Sequence, residues 1–512
     1  MVADPAAKSP DSQAPADSGR SAAEPDPGTP DPAEPDPGTP DPSKIDRKAR
    51  MKLPANTPEK QPADVRVHNW DEVFHLFDPE TAKAEAVRCI QCPAAPCTVA
   101  CPVDNDIPGA LWLLEQGDFD GAANIFRETS ELPEMCGRLC PQERLCEGDC
   151  VVGKKGIPVA IGKLEAFVTE HQRSEGTGPS TETAPATDKT VAIIGAGPAG
   201  IGVAERLARN GHAVTMFDAW PVPGALLHYG IPNFKQNKAT VAEKFDDLQA
   251  MGVRLVMNTH IGRDIPFEHL ERDYDAVFIG AGAIAGAELG FEHEDAPGVY
   301  SATEFLVRGN LPPEELPEGL REPLPDMRRV VVIGGGDTSM DCVRTAVRLG
   351  AEQVRLVYRR TEEEMQGRAE ERQHAYEEGV IFDYVTAPLA ILTDADGAVS
   401  GVRCQRMQLG EPDESGRARP EPIPDTEFEI AADAVVIAIG YNVDEEWGEV
   451  APEVNRDPWG RFTVDPDTMR TNRPGVFAGG DDVNGADLVV TALADGHVAA
   501  ASIEEYLETG EW

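Results

Sequence analysis

Eight of the ten cysteines in this 512-residue chain fall between Cys89 and Cys150. Cys89, Cys92, Cys97 and Cys101 follow C-x2-C-x4-C-x3-C, with Pro102 after the last; Cys136, Cys140, Cys146 and Cys150 follow C-x3-C-x5-C-x3-C. Crowding of this kind, in a chain with no apolar secretory segment at its start, points to metal ligation more than to disulfides. Structural zinc usually takes two separated C-x2-C pairs. A closely spaced run ending in Cys-Pro instead matches bacterial iron–sulfur spacing, in which the last cysteine serves the other cluster. Zinc is kept as the alternative. Only Cys342 and Cys404 remain elsewhere, far apart in sequence, and they read as buried structural thiols rather than a redox-active pair.

Two glycine-rich turns offer a second kind of chemistry. In VAIIGAGPAGIGVAERLARNGHAVTMFDA, Gly195, Gly197 and Gly200 satisfy G-x-G-x-x-G after an apolar run and before a helical pattern. The first glycine permits the tight turn, the second lets backbone approach a pyrophosphate, and the third allows helix and strand to pack closely. The helix N-terminus adds N–H groups and a positive dipole end. Asp218, 23 residues after Gly195, stands where a carboxylate accepts ribose hydroxyls. In VVVIGGGDTSMDCVRTAVRLGAEQVRLVYRRT, Gly334 and Gly336 repeat the pattern with Ser339 in the third place. Arg359 and Arg360 replace the acidic residue, so a 2′-phosphate is attracted and NADPH is preferred to NADH. The alternative is a pair of solvated arginines near Glu362, Glu363 and Glu364. Two nucleotide sites suggest a flavoprotein reduced by a nicotinamide. GVFAGGDDVNGADLVVTALADG fits that reading, with Gly480 and Asp481 at the ribityl chain and a helix from Leu488–Val490 facing the flavin ring.

The elements that must hold these residues are legible in outline. Apolar runs at Val191–Ile194, Ala276–Ile279, Val330–Ile333, Ala434–Ile439 and Val476–Ala478 precede glycines and alternate with helical patterns, which predicts two parallel α/β sheets. Spacing in Ile107–Phe126 and Val159–Val168 predicts short helices around the cysteines. Residues 1–61 are rich in Pro and Asp and repeat EPDPGTPDP from Glu24 and Glu34, which predicts a disordered tail.

The formal charge is −44, from 46 Lys+Arg against 90 Asp+Glu. Residues 1–50 carry ten acidic and six basic side chains, a net −4, so −40 belongs to the folded body. With no lysine after Lys244, this composition suggests adaptation to a salty cytoplasm, where ions screen self-repulsion. It excludes a basic face for nucleic acid. No apolar run reaches the ~20 residues that span a bilayer, so a cytoplasmic protein is expected.

From about residue 62 to its end, the chain resembles the small (β) subunit of NADPH-dependent glutamate synthase. It is similar in the same way to the N-terminal half of dihydropyrimidine dehydrogenase and to the large subunit of NADH-dependent ferredoxin:NADP oxidoreductase. The stretches that carry the resemblance are CGRLCPQERLCEGDC, IGAGPAG, YGIPNFK, GVYSATEFL, VVVIGGGDTSMDCVRTAVRLGA, VYRR and VFAGGD. It implies an α-helical domain with two [4Fe–4S] clusters at 62–172, a linker at 173–188, an FAD domain at 189–310 and 455–512, and an NADPH domain inserted at 311–454. One cluster is implied on Cys89, Cys92, Cys97 and Cys150, the other on Cys101, Cys140, Cys146 and Glu165, with Cys136 a bystander. FAD is implied at Gly195, Ala196, Gly197, Pro198, Ala199, Gly200, Asp218, Gly224, Lys235, Ile261, Gly480 and Asp481. NADPH is implied at Gly334, Gly336, Asp337, Thr338, Ser339, Arg359, Arg360, Ala438, Ile439 and Gly440. The family's usual Gly-Gly reads Gly224-Ala225 here, its Ala-Thr-Gly turn reads Gly280-Ala281-Gly282, and an arginine before YGIP is His228. The implied activity is electron transfer from NADPH through FAD and the clusters to an acceptor, with no acid–base catalytic side chain. The acceptor is a glutamate synthase large subunit in a hetero-oligomer, or alternatively ferredoxin or a pyrimidine-reducing subunit. A non-catalytic, zinc-stabilised interaction module is the reading of another class.

Overall fold

A computed structural model of the chain describes residues 41, 44–413 and 416–512. The expectation for residues 1–40 lies outside the described residues. Residues 44–61 depart from the predicted tail. They form a short helix, Arg47–Arg50, whose arginines dock on the cysteine loop. Arg47 donates to the carbonyls of Ile90 (3.0 Å) and Gln91 (3.1 Å), and Arg50 to that of Cys89 (2.9 Å) while pairing with Glu115 (2.6 Å). The Pro/Asp-rich composition stops short of these basic residues, and with it the reason for disorder.

The helical module is built from short helices with local stop and start signals. Asp78, Asp106 and Asp118 cap Pro79–Ala86, Ile107–Gln116 and Phe119–Thr129, each accepting backbone N–H groups of the first turn. Proline stands at the start of Pro79–Ala86 and Pro133–Leu139, where its missing N–H costs nothing. Leu111, Leu114, Phe126, Leu164 and Phe167 form the core beneath. The predicted linker is partly helix, because Ile161–Ser174 runs into it. Its remainder lies along the first nucleotide unit, with Ala184 N–H bonded to Arg209 (2.7 Å) and Thr187 N–H to Gly211 (2.9 Å).

Both expected parallel sheets are present. The first runs, edge to edge, Val476–Ala478, Ala276–Ile279, Thr190–Ile194, Ala213–Phe217 and Arg254–Val256. The second runs Val299–Ser301, Ala434–Ala438, Arg329–Gly334, Gln353–Val357 and Ile381–Asp383. The domain boundaries differ from the sequence expectation. Val299–Ser301 pairs within the second sheet, so the inserted unit begins before residue 299, not at 311. Val443, Trp447, Ala451 and Val454 pack with Ala192 and Ile194 of the first sheet, so it ends before residue 443, not at 454. The two crossings meet as a two-residue antiparallel ladder, Ala285–Gly286 against Tyr441–Asn442. A third, antiparallel sheet of Thr386–Thr393, Val399–Pro412 and Ala418–Ala431 has no counterpart in the sequence reading. It covers the second sheet through Ile391, Val402, Cys404 and Ile430 on Val331, Ile333 and Val357. Among the described residues, no helix is long and apolar enough to cross a membrane.

Candidate cofactor sites

The first glycine turn needs its glycines for two different reasons. Gly195 has φ +101°, and a Cβ there would lie 2.1 Å from the Gly280 carbonyl oxygen; a Cβ on Gly200 would lie 2.2 Å from that of Gly195. These two are required by the fold. Gly197 has φ −92°, and a Cβ there would meet only the Ala225 methyl, at an ordinary 3.4 Å. Its bareness suits a ligand more than the chain. Asp218 ends the neighbouring strand and closes the turn, accepting N–H groups from Ala196 (2.8 Å) and Trp220 (2.9 Å). Burial raises its carboxyl, partly offset by those two bonds.

Gly224, at φ +122°, donates its N–H to the Ala196 carbonyl (3.1 Å). Ala225, where the family has a second glycine, is held at φ +46° and ψ −130°, a region that favours glycine. Ile261 is buried under the first sheet beside Ile194 and Phe217. Lys235 is buried against the second unit, its Nζ 2.9 Å from Asp341. Gly480, at φ +90°, and Asp481 open the turn after Val476–Ala478, and the Gly480 N–H bonds to Asp495 (2.8 Å). Burial, with Asp487 and Asp495 nearby, pushes the Asp481 carboxyl up to about 7. The helix Val489–Thr509 follows and packs on Pro198–Arg209.

The second turn repeats the division of labour. A Cβ on Gly334 would lie 2.1 Å from the Ala438 carbonyl oxygen, whereas one on Gly336 would meet nothing within 4 Å. Ser339 fills the third place because its hydroxyl donates to that same Ala438 carbonyl (3.2 Å). Asp337 opens the helix and accepts the Arg368 N–H (3.0 Å), and Thr338 follows it in that first turn. Gly440, after Ala438 and Ile439, has φ +130°. The two arginines are not equivalent, contrary to their treatment as a pair. Arg360 is 3% exposed and turned into the antiparallel sheet, where it binds the Ala418 carbonyl (2.8 Å) and Asp413 (2.6 Å). Arg359 is more exposed.

The cysteines gather into two adjoining cavities. Cys89, Cys92, Cys97 and Cys150 line the first. Left-handed backbone at Gln91 (φ +49°) and Ala95 (φ +38°) curls the loop to bring the first three together. Cys101, Cys140, Cys146 and Glu165 line the second, along with Asn105 and with Cys136, which is therefore no distant bystander. Burial, reinforced by neighbouring thiols, pushes Cys89 up to about 12 and Cys97 to about 11. Burial, with the Glu134 carboxylate nearby, raises Glu165 strongly. Acidic donors held in apolar walls fit a positively charged metal group that keeps them ionised. Among the described residues, no three His, Cys, Asp or Glu side chains converge tightly enough for one metal ion.

The positions of these sites relative to one another were not readable from sequence. Ile107 and Ile161 line both cavities. Val490, in the first turn of the helix after the Gly480–Asp481 turn, lines the second. Arg368, whose N–H meets Asp337, reaches the Arg138 carbonyl (2.7 Å) and Gln142 (3.2 Å) beside that cavity. A buried ion cluster joins the helical module to the inserted unit. Glu378 receives Arg66 (2.7 Å), Arg344 (3.0 Å) and Arg348 (2.7 Å).

Comparison with known proteins agrees with this arrangement. Residues 66–177 match the family model described as dihydropyrimidine dehydrogenase domain II, 4Fe-4S cluster, and residues 189–496 match pyridine nucleotide-disulphide oxidoreductase. The small chain of NADPH glutamate synthase from Escherichia coli (strain K12) is 42% identical over 88% of this chain and 97% of its own length. That from Halomonas elongata is 43% identical over 88% and 96%. The β subunit of the NADP(+)-dependent formate dehydrogenase of Moorella thermoacetica is 39% identical over 81% of this chain and 60% of its own. Mycobacterium tuberculosis FprA in complex with NADPH shares the fold of the nucleotide-binding part, with a TM-score of 0.54 and 20% identity over 64% of this chain and 86% of that one. The chain belongs to the glutamate synthase small-chain family, oxidoreductases that join a 4Fe-4S domain to a pyridine nucleotide-disulphide oxidoreductase module.

Proposed function

We propose that this chain takes electrons from NADPH and delivers them through FAD and two [4Fe–4S] clusters to a glutamate synthase large subunit. In that assembly glutamine and 2-oxoglutarate become two glutamates. The observation that supports the reading is the adjacency of the sites: Val490, nine residues after Asp481, lines the second cavity, and Ile107 and Ile161 line both cavities. FAD is assigned to the Gly195–Gly200 turn, Asp218 and Gly480–Asp481, NADPH to the Gly336–Ser339 turn with Arg359. The clusters are assigned to Cys89, Cys92, Cys97 and Cys150, and to Cys101, Cys140, Cys146 and Glu165. When bound, the flavin supplies two-electron acceptance from NADPH and one-electron release to the clusters.

The chain's own residues act by positioning. Bare backbone at Gly197 and Gly336 admits phosphates to two helix N-termini. Asp218 holds the first turn closed and faces the ribose. Apolar Ile107, Ile161 and Val490 keep water from the cavities. No side chain need transfer a proton. The acidic body suits a cytoplasm of high salt, so the protein should be isolated at high ionic strength.

Anaerobic purification at high salt, with iron, sulfide and flavin analysis and identification of stoichiometric partners by mass spectrometry, tests this reading. Recovery of a glutamate synthase large subunit with reduction of the chromophores by NADPH is expected; zinc in place of iron would overturn it. A second reading, the same electron path serving another acceptor such as ferredoxin, is favoured by the formate dehydrogenase β subunit among the relatives. Copurification of a different oxidoreductase would select it.

A further inference from the structure

The second cavity carries one more donor than a four-iron cluster needs. Cys101, Cys140, Cys146 and Glu165 would complete the set, yet Cys136 lines the same wall. Cys136 lies in Pro133–Leu139, and Cys140 is the residue that ends this helix, four positions later. Residues at that spacing share a helix face, so the two thiols point the same way. Cys136 is 3% exposed; its thiol interacts with that of Cys140 and lies a long 4.0 Å from the Ser130 hydroxyl. Its backbone is fixed, with Gln142 Nε2 donating to the carbonyls of Cys136 (3.2 Å) and Gly137 (3.0 Å).

Glu165 comes from the facing helix, Ile161–Ser174, at the closest approach of the two. A Cβ on Gly137 would lie 2.6 Å from the Gly162 carbonyl oxygen and 2.7 Å from the Ala166 nitrogen. Cys136 and Glu165 therefore flank one seam, one from each side. Among the described residues, the hydrogen bond to the Glu165 carboxylate is a long one from Asn105 (3.5 Å), so little else there fixes it in place.

We propose that Cys136 is a reserve ligand of the second cluster, placed to take the iron that Glu165 holds. The inference rests on the two-cluster reading with Glu165 as fourth ligand. When the carboxylate is absent, the open iron binds the Cys136 sulfur and the thiol proton leaves to solvent. One singly charged anionic ligand replaces another, so the charge of the cavity is unchanged, and no oxidant or reductant is consumed.

The test compares Glu165→Ala, Cys136→Ser and the double variant in the full chain, purified anaerobically. Iron and sulfide are measured per bound FAD, and the reduced cluster signals are recorded by electron paramagnetic resonance; FAD content reports that the fold is intact. Cys136→Ser is expected to keep all its iron and the parent spectrum. Glu165→Ala is expected to keep all its iron with an altered signal from one cluster, and the double variant to lose about half the iron. Loss of half the iron by Glu165→Ala alone would overturn the reserve role while supporting Glu165 as ligand. Loss of half by Cys136→Ser alone would make Cys136 the resident ligand and overturn both assignments.

Discussion

The two glycine turns are built on one plan and end in opposite charges. In each, the first glycine is fixed by a neighbouring carbonyl 2.1 Å from a hypothetical Cβ, while the second stands where the unliganded chain would tolerate a methyl. Thus the fold requires one glycine and leaves open space at the other. The units diverge at the next strand. In the first, Asp218 is spent on closing its own turn. In the second, Arg360 is drawn away by Asp413 and the Ala418 carbonyl, whereas Arg359, the proposed nucleotide contact, is more exposed. A doubled motif does not imply a doubled role, because what packs on the strand end decides which side chain faces the ligand.

The comparison can be broken most severely at its shared feature. Gly195→Ala and Gly334→Ala should each cost about 4 kcal/mol or more, since a backbone oxygen cannot yield to the new methyl at positive φ. Gly195→Ala should emerge without flavin; normal flavin retention would refute the division between fold and ligand glycines. Next in size is Glu378→Gln, which takes the carboxylate from buried Arg348 and one of two from Arg66 and Arg344, and should cost about 3–5 kcal/mol in denaturant titration. Burial alone would raise the Glu378 carboxyl, but Arg344 and Arg348 bring it down to about 2 from an ordinary 4.5. Its contribution is therefore full above pH 4.5 and is lost as pH falls from there towards 2, and the variant should lack that part of the acid sensitivity.

Smaller effects separate the two units. Arg359→Ala should raise the KM for NADPH about tenfold to a hundredfold, the loss of a charge-assisted phosphate contact, with little change for NADH. Equal effects on both coenzymes would remove the 2′-phosphate assignment. Arg360→Ala should instead lower thermal stability by loosening the antiparallel sheet. Gly336→Ala should weaken NADPH about tenfold, roughly 1.4 kcal/mol, at unchanged Tm. The smallest change is a gain. Ala225→Gly should add about 0.5–1 kcal/mol by releasing a backbone conformation that Ala adopts at a cost.

Much of this was legible from residue type and spacing. The strands beside both turns announce themselves as short apolar runs because each is buried on two faces. The cysteine spacing indicated two groups, but only folding could bring Cys150 to Cys89, and Glu165 was picked out by resemblance alone. The antiparallel sheet was hidden because its outer faces are polar and Ala418–Ala431 reads as loop-like sequence rich in charge and proline. The unit boundaries were hidden for a simpler reason. The ladder that marks them is two residues long, too short for any period to register.

That ladder has a consequence for how such a molecule is assembled over generations. Because Gly286 pairs with Tyr441 and Ala285 with Asn442, the inserted nucleotide unit enters and leaves its host at one point. It is a cassette with its ends already side by side. A recombination event, or an engineer, can exchange the coenzyme-reading part by joining two strands that are neighbours, provided the incoming part still meets Arg66 of the cluster-bearing module as Glu377 and Glu378 do.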